Sequence, residues 1–161
     1  MAGRIPLVIV NGQIEQLQSG DYLQAPVEEV QLIQQTNGEA SVALVIGTPV
    51  YSSGTDTVKR AEANASGTKD VIGLCFDSSI AASASGNIQT GGVLTATATE
   101  WDAVAGTTGG LTPNTTYYLD PATAGMLTAT APTAIGQYVC PVGVALSSTE
   151  LKIEIKTTVL L

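Results

Sequence analysis

The chain contains no histidine, few aromatic residues and few charges. Of its 161 residues, 12% are charged and 4% are aromatic, and six Lys and Arg stand against fourteen Asp and Glu. Without His, the commonest general base and metal ligand is missing, and a Ser-His-Asp or Cys-His nucleophile is excluded. We therefore expect a protein that is not an enzyme and that holds no metal and no cofactor.

The scarce positive charge is also unevenly placed. No Lys or Arg lies between Lys69 and Lys152, and the formal net charge is −8. Proteins that bind nucleic acid through its phosphates need clustered Lys and Arg. The sequence predicts no nucleic-acid partner.

Neither the N-terminus nor the cysteines indicate export. The apolar run Ile5–Val10 is too short to span a membrane and lacks a small-residue cleavage site, so we expect no membrane partner and no signal peptide. Cys75 and Cys140 are then expected to be two buried thiols that pack as small hydrophobic side chains.

Turn signals and strand-forming residues alternate along the chain. Asn11-Gly12 and Asn37-Gly38 each separate two apolar segments, and this dipeptide favours the tight turn of a β-hairpin. Near the C-terminus, Leu151–Lys156 alternates apolar and charged residues, which indicates a strand with one buried face. We predict an all-β fold, a small β-barrel or β-sandwich built from successive hairpins.

One segment favours a helix. Thr99 is a candidate N-cap, Glu100 and Asp102 place carboxylates in the first turn, and Gly106 ends the segment. We expect at most one short helical turn near residues 99–104.

The two halves of the chain share a weak repeat. Tyr51 matches Tyr118 at an offset of 67 residues, and Gly73 matches Gly143 at an offset of 70. The repeat predicts two versions of one supersecondary unit packed together, which would close a small barrel or sandwich.

Low charge with a mean hydropathy of +0.26 predicts that part of the surface contacts another protein. We divide the chain into an N-terminal arm or first hairpin, residues 1–25, and a single β domain, residues 26–161. Trp101 and the Tyr117-Tyr118 pair leave three roles open: closing one end of the barrel, anchoring an interface, or stacking on a sugar. The candidate capsid or subunit interface residues are Ile5, Leu7, Ile9, Ile14, Leu17, Trp101 and Tyr117.

Two sets of residues resemble proteins of tailed bacteriophage virions. The segment Arg4–Asp21 is similar to the opening of many such proteins, where a short apolar arm precedes a Gly-x-Ile-x-x-Leu-x-x-Gly-Asp pattern. The second half resembles small β-rich head decoration (capsid cement) proteins and fibre modules. The residues that carry this likeness are Gly91–Thr95, Trp101-Asp102, Gly110–Thr112, Tyr117–Asp120, Gly125–Thr128, Ala131-Pro132 and Val142–Leu146.

The resemblance implies a structural virion protein without catalytic residues. Its expected partners are the major capsid protein and further copies of itself, as a homotrimer, and its expected place is the capsid exterior after synthesis in the host cytoplasm. The alternative is a tail or head-fibre module that binds host glycans. The short chain, without a heptad or collagen-like shaft, favours decoration.

Overall fold

A computed structural model describes residues 29–161 of the chain and the backbone of two strands before them. The strands are β1 (Leu7–Val10), β2 (Gln13–Gln16), β3 (Gln31–Asn37), β4 (Leu44–Val45), β5 (Pro49–Gly54), β6 (Thr57–Arg60), β7 (Val71–Cys75), β8 (Ser79–Ile80), β9 (Ser85–Thr95), β10 (Thr116–Leu119), β11 (Leu127–Thr128), β12 (Tyr138–Val139), β13 (Pro141–Ala145), β14 (Glu150–Ile153) and β15 (Val159–Leu160). A helix, α1 (Ala98–Ala105), lies between β9 and β10. The predicted all-β class is confirmed.

Five strands close into a barrel. Around the ring, β3 pairs with β6 in parallel, and the pairs β6–β5, β5–β7, β7–β9 and β9–β3 are antiparallel. Small and branched apolar side chains fill its core, as a narrow barrel requires. They are Leu44, Val50, Val58, Cys75, Ile80 and Ile88.

The long strand β9 joins the barrel to a second unit. Its first half pairs with β3 and β7, whereas its second half pairs with β14, which continues the sheet through β13 and β10 to β11. The second unit has a core that includes Leu94, Trp101, Tyr117, Val142 and Leu151. One strand therefore holds the two cores in a fixed relation.

The predicted repeat is present in the strand pairing. In the first unit Val50 faces Gly73, a bulge follows, and Tyr51 faces Val71. In the second unit Tyr117 faces Gly143, a bulge follows, and Tyr118 faces Pro141. Both units therefore use the same register and the same bulge, at the offsets of 67 and 70 residues that the sequence shows.

Glycine is required at the matched positions because a neighbouring strand approaches closely. A Cβ atom on Gly73 would lie 2.5 Å from the carbonyl oxygen of Gln89, and one on Gly143 would overlap the carbonyl oxygen of Lys152. A side chain at either position would push adjacent strands apart.

The helix is longer than the expected single turn. It spans eight residues because Thr97, and not Thr99, is the N-cap. The Thr97 hydroxyl accepts the Glu100 N–H at 3.3 Å, and the Glu100 carboxylate accepts the Thr97 N–H at 2.7 Å, which completes a capping box. Gly106 ends the helix in the left-handed conformation, as predicted.

The hairpin predicted around Asn37-Gly38 is wrong. β3 pairs with β6 and β9, and β4 pairs with β8. Asn37 is fully buried, and its side-chain amide donates to the carbonyl oxygens of Val42 and Ile80, each at 2.9 Å. The side chain thus fixes the loop at Val42 and the strand β8 to β3, a role that competes with a tight turn.

The strand pairing predicted around Asn11-Gly12 is observed. β1 and β2 are antiparallel, with Val10 opposite Gln13 and Ile9 opposite Ile14. The proposed boundary between residues 25 and 26 lies outside the described residues. At the other end, Leu151 and Ile153 of β14 are buried, which confirms the alternating strand predicted there, although the strand stops before Ile155.

Candidate functional site

Trp101 and Tyr117 belong to the core. Both side chains are 0% exposed. The Trp101 indole N–H donates to the carbonyl oxygen of Thr149 at 3.0 Å, and the Tyr117 hydroxyl accepts the Thr112 N–H at 3.0 Å. Because both rings are buried within this chain, neither offers its side chain to a partner or a sugar, and their selection as interface residues is corrected.

The core role of Trp101 follows from its place on α1. The helix buries Trp101 and Val104, and Gly47 approaches the indole so closely that a Cβ there would lie 2.9 Å from the ring carbon Cζ3. Gly47 also has φ of +83°, a conformation that glycine adopts without strain. Tyr118, next to Tyr117 on the strand, is half-buried, because adjacent residues of a strand face opposite sides of the sheet.

The remaining interface candidates lie in the N-terminal segment. Leu7 and Ile9 are in β1 and Ile14 is in β2, where the structure gives strand pairing only. Ile5 and Leu17 lie outside the described residues. Their role stays a prediction.

The structure reveals a first exposed apolar region at the start of β3. This β3 surface consists of Val30 and Leu32 and, on the opposite face of the strand, Ile33, all large side chains with substantial exposure. The alternation of Val30 and Leu32 predicts an apolar face of the strand. It does not predict that this face is exposed and lies outside the core. Large apolar side chains that cluster on the outside of a protein mark interaction surfaces.

A second exposed apolar region lies near the C-terminus. This C-terminal surface consists of Ile135, Val159, Leu160 and Leu161, with Ile135 95% exposed and Leu160 58% exposed. Backbone hydrogen bonds hold it together, since Gly136 N–H donates to the Leu161 carbonyl oxygen and Leu161 N–H donates to that of Gln137, each at 3.0 Å. The apolar C-terminal residues were the sequence signal for this surface.

A half-open pocket of about 320 Å³ adjoins the C-terminal strand. Lys69 and Asp70 form an ion pair at its rim, and the Lys69 ammonium lies 5.5 Å from the centre of the Tyr138 ring. Cys140 lines the pocket, and burial raises the pKa of its thiol. Lys69, the cation with the least exposed side chain there, is thus already paired with a carboxylate.

Both cysteines are buried and unpaired, as predicted. Burial raises the pKa of the Cys75 thiol to about 12, with the Asp77 carboxylate adding to the effect. A thiol with so high a pKa holds little of the nucleophilic thiolate at neutral pH.

The carboxylates of the helix bind local N–H and O–H groups. Asp102 accepts the N–H groups of Gly110 at 2.8 Å and Gly109 at 3.0 Å and the Thr107 hydroxyl at 2.8 Å, and these bonds lower its pKa. The pKa of Glu100 is lowered by its bonds to Thr97. Through these hydrogen bonds, both carboxylates therefore stabilise the ends of α1.

Within residues 29–161, three or more His, Cys, Asp or Glu side chains nowhere gather into a metal-binding group. In the same part of the chain, no helix is long and apolar enough to cross a membrane. A scan against protein-family models and a search of curated proteins find no match to the chain.

Proposed function

We propose that this chain is a structural virion protein that binds the outer surface of a bacteriophage capsid and ties neighbouring major capsid proteins together. Its partners are the major capsid protein and two further copies of itself. The resemblance of the arm to tailed-bacteriophage virion proteins, and of the second half to head decoration proteins and fibre modules, supports this function. The structure adds two features that suit it.

The observation that carries the proposal is a pair of exposed apolar surfaces on a chain whose two cores share the strand β9. The β3 surface belongs to the nine-stranded sheet, whereas the C-terminal surface includes β15, which pairs with β12 in a separate sheet. A protein that ties two neighbours together needs at least two contact surfaces held in a fixed relation. The shared strand β9 and the two packed cores supply that rigidity.

The charge distribution suits an exterior position. Four of the cationic side chains in residues 29–161 pair with carboxylates, namely Arg60 with Glu39, Lys69 with Asp70, and Lys152 and Lys156 with Glu154. The excess of acidic groups then leaves the surface negative, with a net charge of −8 for the chain. Such a surface repels packaged DNA and favours the side of the capsid away from it.

Counting copies in the virion tests the proposal. We expect mass spectrometry of virions from the phage that encodes this chain to find nearly as many copies as there are major capsid proteins. A decoration protein covers the whole lattice, whereas a tail or fibre module occurs at a few positions. A few dozen copies or fewer would instead support the glycan-binding fibre module.

A capsid-binding assay tests the role of the arm. We expect deletion of residues 1–17 to abolish co-sedimentation with capsids that lack this protein. The remaining domain should still unfold cooperatively when its melting is followed by circular dichroism, because the described apolar core residues all lie between 44 and 153. Ser66→Ala, in an exposed turn, is the control and should bind as the unmodified chain does. Unchanged occupancy after the deletion would rule the arm out as the capsid contact.

A further inference from the structure

The first half of β3 lacks a neighbour on one side. β9 pairs with Gln31–Thr36, but on the other edge β6 pairs only with Thr36 and Asn37. Among the described strands, none pairs with residues 31–35 along that edge. In the part of the chain that the structure describes, the barrel wall therefore closes at Thr36 and Asn37 and stays open beside residues 31–35.

The backbone groups along this open edge can be assigned from the ladder. Thr36 N–H donates to the Asp56 carbonyl oxygen and Gly38 N–H to that of Val58, each at 2.8 Å, so the even-numbered residues turn their N–H groups toward β6. Leu32 and Gln34 turn theirs to the same side, beyond the end of β6. They present a row of donors and acceptors to which another strand could bind.

Apolar side chains stand on both faces of the open edge. Leu32 is 44% exposed and Ile33, which faces the other way, is 37% exposed. Ile33 pairs with Ile88 of the barrel core, so it lies on the inner face, where the missing strand would cover it. Proteins usually protect such edges with Lys or Pro, and residues 30–36 contain neither.

In the described topology, the N-terminal hairpin of β1 and β2 also lacks a further strand to pair with. β1 pairs with β2, and in the described topology the two form a sheet of their own. A two-stranded hairpin is marginally stable in water unless it packs on something else. Its sequence, with Leu7, Val8, Ile9, Val10 and Ile14, is apolar enough to bury against the β3 surface.

We propose that the β1–β2 hairpin of a second copy of this chain adds to the open edge of β3 and covers Leu32 and Ile33. Among the described strands, the hairpin and β3 belong to separate sheets, which leaves the β3 edge open to a strand of a neighbouring copy. Each copy offers one hairpin and one open edge, and such head-to-tail contacts form a ring when the rotation between copies closes. The inference rests on the proposed function only in taking three copies as the ring size.

The chain passes close to β9 where it enters β3. The chain enters β3 across Gly92, where a Cβ would lie 2.9 Å from the Glu29 carbonyl oxygen. Gly92 has φ of +83°, so glycine both permits the bend of β9 and leaves space for the entering chain. In the sequence, residues 17–28 separate β2 from this point.

Two variants of the full chain separate donor from acceptor. Leu32→Lys with Gln34→Lys places charges along the edge, and Ile9→Asp with Ile14→Asp places two like charges opposite each other in the hairpin. In size-exclusion chromatography with light scattering, the unmodified chain should have about three times the mass of one copy, 16.4 kDa. Each variant alone should have the mass of one copy.

Mixing the two variants gives the decisive result. The edge variant keeps an intact hairpin and the hairpin variant keeps an intact edge, so an equimolar mixture should form a complex of one copy of each. Val159→Lys with Leu160→Lys, in the C-terminal surface, removes comparable exposed apolar area and should leave the oligomer unchanged. Circular dichroism melting shows that each variant is folded.

Several results would overturn the inference. A monomeric unmodified chain would contradict exchange, and so would variants that still oligomerise. Failure of two folded variants to combine would show that the hairpin does not bind the β3 edge. All these measurements use purified protein without capsids. A monomeric chain would therefore refute the ring without bearing on whether the chain binds and ties together major capsid proteins.

Discussion

Replacing Trp101 separates a core role from a binding role. The side chain is fully buried among residues of the second core, and its N–H bonds the Thr149 carbonyl oxygen. We expect Trp101→Ala to destabilise the fold strongly, because it leaves a cavity and an unpaired buried oxygen. A residue that acted only by stacking on a ligand would show little effect on stability.

The size of the effect follows from the buried area. An aromatic side chain buries about 200 Å², and at about 25 cal/mol per Å² this corresponds to roughly 5 kcal/mol. Measured losses for aromatic-to-alanine changes in cores are about 3–5 kcal/mol. Since domains are stable by only about 5–15 kcal/mol, Trp101→Ala could abolish folding. Trp101→Phe keeps most of the ring, loses the N–H, and should cost about 1–3 kcal/mol.

Urea denaturation followed by far-ultraviolet circular dichroism measures these changes, since the variants lack the chain's one tryptophan. Ile135→Ala is the control, because its 95% exposed side chain should contribute almost nothing to the free energy of unfolding. If both Trp101 variants unfold at the same urea concentration as the unmodified chain, the core assignment is refuted.

Three further predictions test the repeat, the helix end and the buried thiol. Gly73→Ala and Gly143→Ala should each lower the free energy of unfolding by about 1–3 kcal/mol or more in a denaturant titration, whereas Gly67→Ala, with open space around it, should not. Asp102→Asn should lower the melting temperature at pH 7. Because the pKa of Asp102 is depressed in the folded state, its stabilisation is present above the ordinary aspartate pKa and is lost as the pH falls through the folded pKa. The difference in melting temperature between Asp102→Asn and the unmodified chain should therefore vanish in acid. Cys75 should resist alkylation in the native protein and react rapidly in urea, because burial raises its thiol pKa to about 12.

The repeat could be predicted from sequence because it rests on glycines with no substitute. Gly73 and Gly143 lie where an adjacent strand's carbonyl oxygen occupies the space of a side chain. Because only glycine fits at such a position, the same residue type occurs at the same place in both units. The matched glycines therefore indicate a close contact between adjacent strands, which local secondary-structure propensities do not predict.

The turn at Asn37-Gly38 shows where local signals stop being informative. The dipeptide favours a hairpin when its side chain is free, but here the Asn37 amide bonds the carbonyl oxygens of Val42 and Ile80. Ile80 is distant in sequence, so the competing partners were invisible to a local pattern. The buried hydrogen bonds outweigh the turn preference.

The candidate site was predicted less well because alternation does not say what covers an apolar face. Leu32 and Leu151 both sit in alternating strands, yet Leu151 is fully buried and Leu32 is 44% exposed. The difference lies in their neighbours. Among the described strands, β14 has neighbours on both sides, whereas β3 at Leu32 pairs with β9 alone. An apolar residue of an alternating strand therefore stays exposed at Leu32 because the described sheet beside it is incomplete, and a local sequence pattern does not show where a sheet ends.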